Sequence, residues 1–209
     1  QRVGVTPLSA FDTIEHQIPM LSLANAMDDN EIIAFDKQIK KFLNTENEIE
    51  YTCEPKLDGL AVELVYENGI FQHGSTRGDG ISGEDITQNL RSIKSIPLKI
   101  IDNNPPEVLE IRGEVFINHI DFEQLNKQRV NTGKSIFANP RNCAAGSLRQ
   151  LDSSITATRP LRIYCYAPGY IEGISINSQM EFLKILPKWG FPVNTEIQIG
   201  RGSNFLNSY

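Results

Sequence analysis

At Tyr51 the apolar spacing of the chain changes from a helical period to a period of two, and that change constrains the fold most. Upstream, Ile32, Phe35, Ile39, Phe42 and Leu43 recur at helical spacing, with Lys37, Lys40 and Lys41 on the other side. Asp28 followed by Glu31 is a variant capping box, which satisfies the first free N–H groups of a helix. The spacing predicts a helix there. Downstream, Leu60, Val62, Leu64 and Tyr66 alternate with Ala61, Glu63 and Val65, and Asn68-Gly69 follows. Both of those residues tolerate positive φ, as a two-residue hairpin turn requires. Ile70 to Thr76 is therefore predicted to return as an antiparallel strand.

The remaining segments extend this mixture. Residues 1–27, with Pro7 and Pro19, read as an extended lead-in. Ser82 is expected to cap a short helix reaching Leu90 or Ile93. Val108 to Ile117 reads as a strand. Leu109, Ile111, Val115 and Ile117 lie on one of its faces; Glu110, Arg112 and Glu114 make the other too polar for core. Asn118 caps a helix to about Val130, and Asn139-Pro140 opens another through about Gln150. Leu161 to Ala167 reads as a strand. Residues 178–189 read as a helix disturbed by Pro187 and stopped by Gly190. Helices mixed with a hairpin predict an α+β domain, not a strictly alternating parallel sheet.

Composition excludes several classes. The chain has 209 residues, 40% apolar, with a net charge of −6. That is too apolar and too weakly charged for a disordered chain. It is long enough for one large domain or two small ones. No run approaches the roughly 18 apolar residues of a membrane helix. Cys53, Cys143 and Cys165 form no C-x-x-C pair, so reduced, mostly buried thiols of a cytosolic protein are expected. His16, His73 and His119 are isolated, without metal-ligand spacing, and are expected to be non-catalytic; Trp189 is expected to anchor packing. The first residue is Gln1, so a piece of a longer product is expected; no secretory signal is visible.

The acidic balance argues against a wholly basic nucleic-acid coat, yet charge is uneven. Residues 127–162 carry Lys127, Arg129, Lys134, Arg141, Arg149, Arg159 and Arg162 against Asp152 alone, a net of +6 that leaves −12 elsewhere. A solvated face is one reading. A phosphate-contacting surface that binds without sequence preference and weakens with salt is the better one.

Two phosphate-loop patterns fail on context. Gly133-Lys134-Ser135 resembles the end of a Walker loop, but Gln128 stands where that loop needs glycine. Gly78-x-Gly80-x-x-Gly83 matches the dinucleotide fingerprint letter for letter. Its preceding strand is amphipathic and hairpin-paired, whereas a Rossmann first strand is parallel and buried on both faces. The glycines are expected to bend the backbone beside a binding site.

Glu54-Pro55-Lys56-Leu57-Asp58-Gly59 is the most informative segment. A lysine between carboxylates is as consistent with a solvated strand face as with a nucleophile at a strand end. A free lysine, at about 10.4, is almost wholly protonated near neutral pH. A nucleophilic one needs desolvation or a nearby cation, such as Arg77 or a metal ion.

Lys-x-Asp-Gly here resembles the signature of covalent nucleotidyltransferases. Its surroundings are more specific. Cys-Glu-Pro-Lys-Leu-Asp-Gly-Leu-Ala-Val, Ser-Thr-Arg-Gly-Asp-Gly-x-x-Gly-Glu-Asp-Ile-Thr, Leu-Glu-Ile-Arg-Gly-Glu-Val-Phe and Asn-Pro-Arg-Asn-x-Ala-Ala-Gly-Ser-Leu-Arg-Gln-Leu-Asp all resemble bacterial NAD-dependent DNA ligase. Pro-Met-Leu-Ser-Leu upstream fits as well, so the resemblance runs from about Ile18 to Pro192.

The resemblance implies an ATP-grasp-like nucleotidyltransferase core of antiparallel sheets flanked by helices. It implies that Lys56 takes AMP from NAD, that Glu54 lies beside the adenine and that Ser22 and Leu23 line the nucleotide site. Arg77 is implied to contact the nucleotide, Glu114 the ribose, and Arg141 and Arg149 the DNA backbone. Asp58 belongs to the signature without an assigned role. Magnesium is implied, its protein ligands unknown, and nicked double-stranded DNA is the implied partner of a cytoplasmic monomer. Residues 1–209 are implied to be part of an adenylation domain. The module for the nicotinamide mononucleotide half, the last adenylation lysine motifs, the OB-fold, the zinc module, the helix-hairpin-helix array and the BRCT domain are not among these residues. The alternatives are an ATP-dependent polynucleotide ligase or capping-type enzyme, and an inactive DNA-binding module.

Overall fold

The computed structural model describes residues 10–208. In chain order its first elements are β1 (Thr13–Glu15), α1 (Asp29–Leu43), β2 (Glu50–Cys53), β3 (Leu60–Glu67), β4 (Ile70–Thr76), β5 (Ser82–Glu84), α2 (Thr87–Arg91) and β6 (Val108–Phe116). Then come α3 (His119–Asn131), α4 (Pro140–Leu148), α5 (Ser153–Ala157), β7 (Arg162–Glu172), α6 (Gln179–Ile185), β8 (Gln198–Arg201) and α7 (Gly202–Ser208). The described part of Gln1–Leu21 with Leu57–Val193 forms a larger unit; Ser22–Lys56 with the described part of Asn194–Tyr209 forms a smaller one.

The larger unit is built on a four-stranded sheet in the order β4-β3-β6-β7. Every neighbouring pair is antiparallel, as the hairpin expectation required. Asn68 and Gly69 turn it at φ 48° and 78°. On one face, Val62, Leu64 and Tyr66 of β3 and Leu109, Ile111 and Val115 of β6 are sealed from water. Burying a side chain of this size contributes about 1.5–3 kcal/mol. Phe182, Leu186, Trp189 and Phe191 complete this core. Tyr66 stands edge-on to Phe191 at 5.2 Å between ring centroids, and its hydroxyl donates to the Pro97 carbonyl at 2.6 Å. Trp189 is the expected anchor, with its indole N–H bonded to Asp102 at 3.0 Å.

The opposite face corrects one expectation. Glu110 and Glu114 do not face water; both are buried, together with Glu63 of β3. A buried carboxylate costs several kcal/mol unless it is partnered, and each of these has partners. This polar interior is where the site lies.

Ser82 is a second correction. It does not cap a helix but opens β5, paired to β1 through Glu15↔Ser82 and Ile14↔Gly83. The helix begins five residues later, at Thr87. Capping propensity is local, and the strand partner from residues 13–15 overrides it. The lead-in expected over 1–27 therefore contains a strand; residues 1–9 lie outside the described residues.

In the smaller unit, β2 and β8 pair antiparallel, from Glu50↔Arg201 to Cys53↔Gln198. The cap on α1 is as read from the sequence: Asp28 Oδ1 accepts from Glu31 N at 2.9 Å. The stripe differs. Asp36 is the buried residue of α1, whereas Phe35, Phe42 and Leu43 are exposed. Asp36 is held by Lys40 at 2.9 Å and by the Tyr51 hydroxyl at 2.8 Å.

Candidate active site

Lys56 sits in the segment between β2 and β3 and is exposed, while Glu54 is half-buried. Ser22 and Leu23 precede α1 and are exposed. These four residues belong to the smaller unit; Arg77, Glu114, Arg141 and Arg149 belong to the larger.

The end of the lysine motif has a clear structural logic. Gly59 N–H donates to Glu114 Oε1 at 3.0 Å. A Cβ at position 59 would stand 2.2 Å from the Val115 carbonyl oxygen. The chain can enter β3 this close to β6 only without a side chain. Asp58, one residue before, accepts from Arg141 Nη1 at 3.1 Å, and both side chains are largely exposed.

Arg77 follows β4 and is half-buried. Its N–H donates to the Ala61 carbonyl at 3.0 Å, and its own carbonyl accepts from Gly80 N at 2.9 Å. Gly78 and Gly80 take φ 54° and 95°. At Gly83 a Cβ would lie 1.6 Å from the Thr76 carbonyl oxygen. The three glycines thus serve a tight return from β4 to β5, not a parallel βαβ turn.

Glu114 and Arg77 both act electrostatically on Tyr166. Burial holds the Tyr166 hydroxyl well above its ordinary pKa, the Glu114 carboxylate pushes the same way, and Arg112 and Arg77 oppose them. Tyr166, 52 residues beyond Glu114 in the chain, carried no signal in the sequence. The same holds for the buried contact of His16 Nδ1 with Glu63 Oε2 at 2.7 Å, which joins residues 47 apart.

Arg149 is engaged inside the fold. Its Nε donates to Glu84 Oε2 at 2.6 Å and its Nη2 to Glu84 Oε1. Glu84 is buried, so this is a two-pronged, charge-assisted clamp. It ties the end of α4 to β5. Of the seven basic side chains in residues 127–162, three meet acids from outside that segment: Arg141 with Asp58, Arg149 with Glu84, and Arg162 with Asp121. The field there is weaker than the sequence count of +6. Among the described residues no group of three or more His, Cys, Asp or Glu side chains could hold a metal ion. No described helix is long and apolar enough to cross a membrane.

The larger unit is thus an α+β unit of antiparallel strands, with the lysine motif leading into β3 and buried carboxylates on one sheet face. Residues 8–209 match the family model described as the NAD-dependent DNA ligase adenylation domain, and the chain belongs to that family. Among curated relatives, the chain is 53% identical to a DNA ligase of Geotalea daltonii, with the whole chain matched to 32% of that protein. It is 56% identical to a DNA ligase of Geotalea uraniireducens, over the whole chain and 31% of the relative. Identity to a DNA ligase of Pseudomonas paraeruginosa is 47%, over the whole chain and 28% of the relative. The chain thus spans about a third of the length of the relatives it matches.

Proposed function

We propose that this chain supplies the nucleotidyl-transfer step of an NAD-dependent DNA ligase, on an ATP-grasp-like core, with Lys56 as the nucleophile. The amine attacks the α-phosphorus of NAD. The bond to nicotinamide mononucleotide breaks, that half leaves with the electron pair, and AMP remains on Lys56 through a phosphoramide bond. AMP then passes to the 5′-phosphate of nicked DNA, and the 3′-hydroxyl displaces it to close the strand. The work belongs to replication and repair in the cytoplasm, with the enzyme acting as a monomer.

The observation that carries this reading is the Gly59–Glu114 hydrogen bond. It ties the lysine motif to the polar face of β6 that carries Glu110 and Glu114. In this reading Glu114 accepts from the ribose, Arg77 contacts the nucleotide, Glu54 lies beside the adenine, and Ser22 and Leu23 line the nucleotide. Positioning of the nucleophile and neutralisation of phosphate charge supply most of the acceleration. Magnesium fits as an ion held mainly by the nucleotide's phosphates with few protein carboxylates, its usual mode. Arg141 is the phosphate contact for DNA, and Arg149 supports that surface through Glu84.

Intact-mass measurement tests the nucleophile. The full-length enzyme carrying this sequence is incubated with NAD and magnesium. One AMP adduct on Lys56, absent in Lys56→Ala, is the expected result. An adduct that persists in Lys56→Ala overturns the assignment.

A further inference from the structure

The glycine-rich turn that presents Arg77 is strapped by the segment before it. Asp85 N donates to the Asp12 carbonyl at 2.8 Å, β1 pairs with β5, His16 N donates to the Ile81 carbonyl at 2.9 Å, and Met20 N to the Gly80 carbonyl at 2.8 Å. The strap is in turn held to the sheet. Arg112 Nη2 donates to the Ile18 carbonyl at 2.5 Å, and His16 meets Glu63.

The His16 side chain reaches the base of the turn. Its Nδ1 lies 2.7 Å from Glu63 Oε2 and its Nε2 lies 3.2 Å from the Arg77 carbonyl oxygen. The imidazole is fully enclosed and Glu63 nearly so. Carboxylate and carbonyl oxygens both accept, whereas a neutral imidazole has a single N–H. Only the imidazolium serves both partners at once.

We propose that His16 is a positioning residue for Arg77, acting through the Arg77 carbonyl while Glu63 holds its other nitrogen. The inference rests on the reading of Arg77 as a nucleotide contact. The groups facing His16 are Glu63 from β3, Arg112 and Glu110 from β6, and the turn carbonyl. Burial works against the charge on His16. The Glu63 carboxylate and the Arg77 carbonyl outweigh burial and hold its pKa above the ordinary value, with Arg112 opposing. When the proton is lost, the carboxylate keeps the remaining N–H, because a charge-assisted bond is the stronger one. Nε2 is then left with a lone pair against the Arg77 carbonyl, and the turn loosens.

The test uses the full-length enzyme carrying this sequence and reads KM for NAD apart from the rate of adenylation. Loss of one such bond corresponds to about a fivefold change. His16→Gln has one amide for two acceptors, so KM is expected to rise about fivefold with the maximal rate within about twofold. In the wild type, KM is expected to climb as pH rises through the folded pKa of His16, which lies above the ordinary histidine value. Glu63→Gln can turn its amide to donate to Nδ1, which keeps a neutral imidazole donating to Arg77; its KM is expected to stay flat over that range. A wild-type KM and pH profile in His16→Gln overturns the proposal. If that variant fails to fold, a flat wild-type KM between pH 6 and 9 overturns it instead. Arg77→Ala with unchanged KM overturns the reading of Arg77 itself, a different failure.

Discussion

Gly59 donates its backbone N–H to Glu114 Oε1 at 3.0 Å, and its missing side chain lets β3 approach the Val115 carbonyl. One residue of the lysine motif is therefore bonded to one residue of the Arg-Gly-Glu strand, 55 positions away. The two contributions separate by mutation. Glu114→Gln keeps an oxygen for Gly59 but removes the charge. Its melting temperature is expected within a few degrees of wild type while lysine adenylation falls by at least tenfold. Glu114→Ala leaves a buried N–H without that acceptor, a loss of about 1–3 kcal/mol, and is expected to lower both. Denaturation and adduct formation on the same preparations check this. Equal melting temperatures for the two variants would sink the structural half.

Arg141 and Arg149 should fail in different assays. Arg149 clamps a buried carboxylate, and removing one partner of such a pair costs on the order of 3 kcal/mol. Arg141 pairs with Asp58 at the surface, where a salt bridge contributes about 0–1 kcal/mol. Arg149→Ala is expected to lower urea resistance clearly. Arg141→Ala is expected to leave stability alone while weakening binding to nicked DNA and flattening its salt dependence by about one phosphate contact. Urea titration and binding at several salt concentrations separate the two. A stable Arg149→Ala with a reduced salt slope would reverse the assignment.

The sequence carried its local devices well and its distant partnerships poorly. The Asn68-Gly69 hairpin, the Asp28, Asn118 and Asn139 caps and the Gly190 stop are each written within four residues, and each is found where it was read. Ser82 failed because a strand from residues 13–15 competes with its capping tendency. The polar face of β6 looked solvent-exposed because nothing local reveals that Tyr170 N–H reaches Glu110 at 2.8 Å or that Gly59 reaches Glu114. His16 looked isolated for the same reason: Glu63 lies 47 positions away. Motif letters single out Lys56, Arg77 and Glu114, and the roles proposed for them rest on those letters. The pairing of Arg149 with Glu84, 65 positions away, has no local signature either.

The three thiols should separate by accessibility. Cys143 and Cys165 are buried and Cys53 is half-buried. Burial pushes the Cys165 thiol well above its ordinary pKa; burial and the neighbouring Glu54 do the same, to a lesser degree, at Cys53. The thiolate is the reactive form. A thiol reagent at neutral pH is expected to label Cys53 alone, and slowly, in a native preparation of this chain. All three should react promptly in denaturant. Mass spectrometry of the labelled peptides checks this, and prompt native labelling of Cys165 would contradict the packing of β7.

Asp36 gives the smaller unit a distinct acid response. The bond from Lys40 lowers its pKa, burial opposes, and the Tyr51 hydroxyl adds to the lowering. A carboxylate with a depressed folded pKa contributes stability above its unfolded value, near 3.8, and loses it as pH falls through the folded value. The contribution from Asp36 is thus complete at neutral pH and fades only below about pH 4. Tyr51→Phe removes one charged hydrogen bond and is expected to cost about 1.5 kcal/mol at pH 7. As pH falls through the lowered folded value and Asp36 takes up its proton, that difference should shrink. Thermal melts of both forms across this range provide the measurement. A penalty in Tyr51→Phe that is constant from pH 7 to pH 2 would mean that the Asp36 charge does not hold α1 to β2.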